Sequence, residues 1–108
     1  MQITDFNADI SGTSLQGYVE ATFSELVEAL NFPSYQSCDV TEKVNNEWAI
    51  AVDVGGKKIV VTVYDWKEGD GGEAARGGKK MYWHVGGRDQ RSLVVLEAIL
   101  DRSVKSAY

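Results

Sequence analysis

One hundred and eight residues, 44% hydrophobic and 25% charged, fit a single globular domain. A chain of this size buries roughly two-thirds of the surface its unfolded form exposes. No apolar run approaches the ~20 residues of a membrane helix, and Met1–Asp5 lacks the basic and apolar regions of a signal peptide, so no membrane partner and a cytoplasmic location are expected. Cys38 is the only cysteine, which excludes an intrachain disulfide and fits a reducing compartment. Ser37 and Asp39 beside it do nothing to stabilise a thiolate, so Cys38 reads as a structural or incidental thiol rather than a nucleophile.

The net charge of −5 is unevenly distributed. Residues 1–54 carry nine acids and one base, Lys43, whereas residues 55–108 carry ten bases and seven acids. Such segregation bears on partners rather than on fold.

In chain order, Ile3 to Ile10 is a candidate edge strand or arm, and Thr13 to Thr22 alternates as a strand. Thr22 and Glu25 have capping-box spacing, and Phe23, Leu26, Val27 and Leu30 form one apolar stripe, predicting a first helix that Pro33 ends. Val40 to Val44 has some strand character. Glu47 to Val54 and Lys57 to Trp66 are two strand-forming runs around Gly55-Gly56, a pair suited to the positive φ of a two-residue hairpin turn. That turn sets Val52 opposite Ile59, Ile50 opposite Val61 and Trp48 opposite Val63 on an apolar face. The other face pairs Asp53 with Lys58, Ala51 with Val60, Ala49 with Thr62 and Glu47 with Tyr64. The first of these reads as an ion pair.

Residues 67–80 hold five glycines and little apolar surface, and are expected to form a flexible loop. Met81 to Val85 returns as a strand, with Met81, Trp83 and Val85 on one side and Tyr82 and His84 on the other. A last helix opens at Arg88–Arg91, with Leu93, Leu96, Leu100 and Val104 on its stripe. The expected architecture is one α+β domain over residues 1–108: an antiparallel sheet of about four to five strands, with two helices on one face. Monomer and homodimer are both open.

Three constellations bear on chemistry. His84, the only histidine, would need an orienting group for catalysis, and Asp65 is the candidate; a plain histidine on the second sheet face is the simpler reading. No metal or cofactor is expected, since one histidine without a nearby cysteine makes a zinc site poor. Gly86, Gly87, Arg88 and Arg91 lie where a strand meets a helix amino terminus, a weak candidate anion site. Tyr64, Trp66 and Tyr82 form an exposed aromatic patch if no helix covers the second face.

The segments Thr22–Val27, Asn31-Phe32-Pro33, Glu47–Ile50, Val63-Tyr64-Asp65-Trp66-Lys67 and Trp83–Gly87 resemble a family of small uncharacterised bacteriophage proteins with an "EW…YDWK…WHxGG" skeleton. The likeness covers most of the chain and departs at Asn31-Phe32-Pro33 and in the loop from Gly69 to Gly78. It implies phage origin, action in the infected cytoplasm and a compact α+β domain, and supplies no catalytic residues. The leading expectation is a non-enzymatic accessory protein that binds and inhibits a bacterial host protein, in a nucleic-acid-handling or CRISPR-type defence complex. Its acidic face would comprise Glu20, Glu25, Glu28, Glu42 and Glu47. The alternative is a single-stranded nucleic-acid or nucleotide binder that uses the strand aromatics and the bases of the carboxyl-terminal half.

Overall fold

The computed structural model describes all 108 residues. It contains β1 (Gln2–Asp5), β2 (Ser14–Ala21), α1 (Phe23–Leu30), β3 (Tyr35–Gln36) and β4 (Asn46–Val54), then β5 (Lys57–Tyr64), α2 (Glu73–Arg76), β6 (Met81–Gly87), α3 (Arg91–Leu100) and β7 (Lys105–Ser106). The strands form one sheet in the order β1-β4-β5-β6-β2-β7, with β3 also on β4, and every strand pair is antiparallel. The domain is α+β. Its seven strands exceed the four to five expected, and its three helices exceed two. The extra pieces are short edge segments and one helical turn, too brief to leave a periodic signal.

The hairpin β4–β5 has the expected register throughout, from Glu47 opposite Tyr64 to Asp53 opposite Lys58. Gly55 (φ 59°) and Gly56 (φ 84°) supply the positive dihedrals the turn requires. The Asp53–Lys58 ion pair does not form; the Asp53 carboxylate instead accepts the Gly56 amide at 2.9 Å. An exposed lysine pair gains little, whereas the turn amide needs an acceptor.

One sheet face is apolar. Trp48, Ile50, Val52, Val61, Val63, Trp83 and Val85 join Leu26 and Leu30 of α1 and Leu93 and Leu96 of α3 in a single core. Thr22 caps α1 reciprocally with Glu25, as the spacing predicts: the Thr22 Oγ1 accepts from the Glu25 amide and Glu25 Oε1 from the Thr22 amide. Trp48 Nε1 donates to the Asn31 carbonyl at 2.7 Å, tying the end of α1 to the sheet.

Three expected elements are revised. Residues 40–44 form no strand, because Asp39 turns the chain by accepting the Thr41 amide and hydroxyl; the strand pairing with β4 is Tyr35–Gln36. Helix α3 starts at Arg91 rather than Arg88 and ends where Asp101 adopts a left-handed conformation, so Val104 reaches the core from the following segment. The glycine-rich stretch contains α2, which buries Ala75; Asp70 accepts the Gly72 and Ala74 amides at its start.

Gly86 and Gly87 belong to β6 and are required for close packing. A Cβ on Gly87 would sit 2.4 Å from Ser92 Cβ and 3.2 Å from the Val60 carbonyl oxygen. Gly87→Ala is therefore expected to cost about 1–3 kcal/mol by pushing α3 off the sheet. Urea unfolding followed by circular dichroism checks this, and a midpoint equal to wild type would show that α3 can shift freely.

Candidate functional site

The second face of the sheet is covered at one end only. After β1 the chain crosses it, and Ala8 packs on Ala51 and Val60. Arg88 holds that crossing by donating to the Ser11 and Asp9 carbonyls at 3.0 and 3.2 Å. Beyond it, no helix lies on this face.

Alternation places Tyr64 of β5, His84 of β6 and Tyr18 of β2 side by side on the open face, since Tyr64 pairs with His84 and His84 with Tyr18. Their rings meet edge to face: Tyr18–His84 at 5.1 Å and Tyr64–His84 at 5.4 Å between centroids. Trp66, just past β5, joins Tyr64 at 6.3 Å and His84 at 5.9 Å. Tyr82 lies two residues before His84 on the same face. Trp66 and Tyr82 are 42% and 62% exposed, so these two rings form the accessible part of a half-buried cluster. Gly86 makes room for it, because a Cβ there would meet Thr62 Oγ1 at 2.4 Å and Tyr64 Cε1 at 3.6 Å.

Tyr64, Trp66 and Tyr82, the aromatic residues selected from the sequence, thus share this face, with Tyr64 the least exposed. Tyr18 joins the cluster only through the pairing of β2 with β6, of which the alternation within β2 carries no sign. His84 lies on the expected second face, against Tyr64 and Tyr18 rather than Asp65. Asp65 follows Tyr64 and points away from the open face; it is 1% exposed and accepts the Asn45 and Asn46 amides at 2.8 and 3.0 Å and Asn46 Nδ2 at 2.9 Å. It is a structural carboxylate and does not orient His84.

Burial among the rings lowers the His84 pKa below its ordinary value, while Glu68 partly opposes the shift. The unfolded chain therefore binds a proton on His84 more readily than the folded one. This contribution to stability is present in full above the unfolded pKa, near 6.5, and is lost as pH falls through that value towards the lower folded one. His84→Gln is expected to remove that part of the acid dependence. An NMR titration of the single histidine should give a midpoint below about 6.5; a midpoint above it would mean that the Glu68 charge outweighs burial.

The five acids fall into two groups. Glu20, Glu25 and Glu28 flank Arg102, which donates to Glu25 Oε2 at 2.6 Å and to the Glu20 carbonyl at 3.1 Å. The Arg102 hydrogen bond, together with the Thr22 amide, holds the Glu25 carboxyl at about 2. Glu42 and Glu47 lie three strands away, lining an open cleft of ≈ 320 Å³ with Tyr35, Lys43 and Val44. Glu42 accepts a hydrogen bond from the Tyr35 hydroxyl. Burial, and secondarily the Asp65 charge, push the Glu47 carboxyl up. The single acidic face is thus replaced by two separate sites, in one of which Arg102 pairs with the Glu25 carboxylate.

The anion site at the β6–α3 junction is also revised. Gly86 and Gly87 are spaced by packing, Arg88 is used by the crossing segment, and Arg91 is held by Asp89 at 2.7 Å. No guanidinium remains free there.

No group of three or more histidine, cysteine or acidic side chains is arranged to hold a metal ion, and no helix is long and apolar enough to cross a membrane. No protein-family model, curated protein or solved structure matches the chain.

Proposed function

We propose that the chain is a non-enzymatic binding module whose working surface is the open aromatic face of the sheet. The observation that supports this is the ring cluster of Tyr18, Tyr64, Trp66 and His84, with Tyr82 beside it, on a sheet face that no helix covers. Tyrosine and tryptophan concentrate binding energy because they bring large rigid areas at low entropic cost. Taken with the resemblance to phage accessory proteins, the reading is of a module that acts on, and inhibits, a nucleic-acid-handling or defence system of a bacterial host. The acidic residues support it less, since Arg102 occupies Glu25 and the remaining acids are divided.

Capture from bacterial lysate by the tagged protein tests this, comparing wild type with Trp66→Ala/Tyr82→Ala and with Glu28→Lys. The aromatic double variant is expected to lose at least about 30-fold in retained partner, as for a hot spot of about 2 kcal/mol. Glu28→Lys should retain its partner. The reverse pattern would return the working surface to the acids.

A further inference from the structure

We infer that the ligand of the aromatic face is single-stranded nucleic acid, an inference that rests on the reading of that face as the working surface. The charge around the rings differs from that of the whole molecule. Lys43 and Lys67 place their ammonium groups 6.0 and 5.6 Å from the Trp66 ring centroid, and neither has a carboxylate within salt-bridge distance. Lys105 pairs with Tyr18 across β7 and β2 and so shares the face. Lys79 and Lys80 meet Glu68 and Glu20 only at 3.9 and 4.0 Å, with both lysines more than half exposed. Such pairs are weak and open readily.

Five of the seven lysines therefore flank the rings, and the other two, Lys57 and Lys58, sit at the hairpin turn. Against these five stand Glu20, Glu42, Glu47, Glu68 and, beside Lys79, Asp70, so the surroundings of the rings are close to neutral while the chain as a whole carries −5.

All four arginines are engaged elsewhere: Arg76 with Asn46 and the Gly71 carbonyl, Arg88 with the crossing segment, Arg91 with Asp89 and Arg102 with Glu25. The cations left for a ligand are thus lysines, and they border exposed aromatic rings. Phosphates spaced along a flexible strand can meet separated ammonium groups while bases stack on Trp66 and Tyr82. A rigid duplex cannot bring its bases to those rings. An acidic peptide would satisfy the lysines but has no flat π-face to place on the indole.

The probe is a fluorescent oligothymidylate about 12 nucleotides long, within the site sizes of single-strand binders. It is titrated with the full chain by anisotropy between about 50 and 200 mM salt. Binding is expected, at least about tenfold tighter than to a duplex of equal length. The log–log salt slope should flatten by about 1.4 in Lys43→Gln/Lys67→Gln, corresponding to two phosphate contacts at about 0.7 each. Lys57→Gln/Lys58→Gln should leave the slope unchanged.

Equal loss in both double variants would mean diffuse attraction and would overturn the inference. Binding of poly-glutamate instead of the oligonucleotide, with the same dependence on Lys43 and Lys67, would assign the face to an acidic protein. If neither polyanion binds while lysate capture still depends on Trp66 and Tyr82, the nucleic-acid inference fails and the working-surface reading stands. If capture is also indifferent to those rings, both fail.

Discussion

Asp65→Ala is expected to lower the free energy of unfolding by about 3–5 kcal/mol, a large part of the stability of a domain this size. The side chain is 1% exposed and serves three donors at once: the backbone amides of Asn45 and Asn46, and the Asn46 side-chain amide. Each donor left unpaired in a buried site costs about 1–3 kcal/mol, with entering water able to recover part of it. The damage should spread beyond the strand. Asn46 Nδ2 also lies 3.5 Å from the Gly72 carbonyl, and Asn46 Oδ1 accepts from Arg76 at 3.0 Å, so the carboxylate anchors the glycine-rich segment through Asn46. Asp65→Asn should be milder, because its amide oxygen can still accept the two backbone donors; its NH2, however, faces the donor Asn46 Nδ2. Urea midpoints should rank wild type above Asp65→Asn above Asp65→Ala. An alanine variant within about 0.5 kcal/mol of wild type, the range of an ordinary surface change, would remove Asp65 from its structural role.

The second large effect separates two of the three tryptophans. Trp83→Ala is expected to destabilise the fold by about 3–5 kcal/mol. Its ring has no solvent exposure, meets Trp48 edge to face at 5.4 Å between centroids, and donates to the Ala21 carbonyl at 3.0 Å. Truncation would leave a cavity between the two helices and the sheet, together with an unpaired carbonyl on β2. Trp66→Ala should cost less, about 1–2 kcal/mol, because a half-exposed ring loses mainly its contacts with Tyr64 and His84. On the proposed reading, that same mild variant should be the more damaging one for binding. Thermal melts beside ligand titrations would show the two effects in opposite order. Equal loss of stability in both variants would mean that Trp66 belongs to the core and that the aromatic face is structural.

The hairpin shows how much local pattern can specify. Period-two alternation on both sides of Gly55-Gly56, with positive φ needed at both turn residues, allows one register, and all eight pairs follow it. The capping box of α1 and the apolar stripe of Phe23, Leu26, Val27 and Leu30 are equally local, and they too were readable along the chain. Trp48 and Trp83 could be assigned to the core by alternation within their strands. The same alternation put Tyr82 and His84 together on the opposite side.

What it could not supply was the neighbour of each strand. Tyr18 enters the aromatic cluster only because β2 lies against β6, and Lys105 only because the chain after α3 returns to the edge of β2. Asp65 reads as a partner for His84 because it directly follows Tyr64 on the preceding strand, yet that single step turns it to Asn45 and Asn46. The acids read as one face were divided because α1 lies on the core face whereas Glu47 of β4 shares the open face with Tyr64, and because Arg102, 77 residues away, reaches Glu25. Local sequence settles which way a side chain points from its own strand or helix, through steric and hydrogen-bonding rules that span a few residues. Which groups meet across strands depends on the order in which the sheet assembles, and that order is set by burial of the whole apolar face at once.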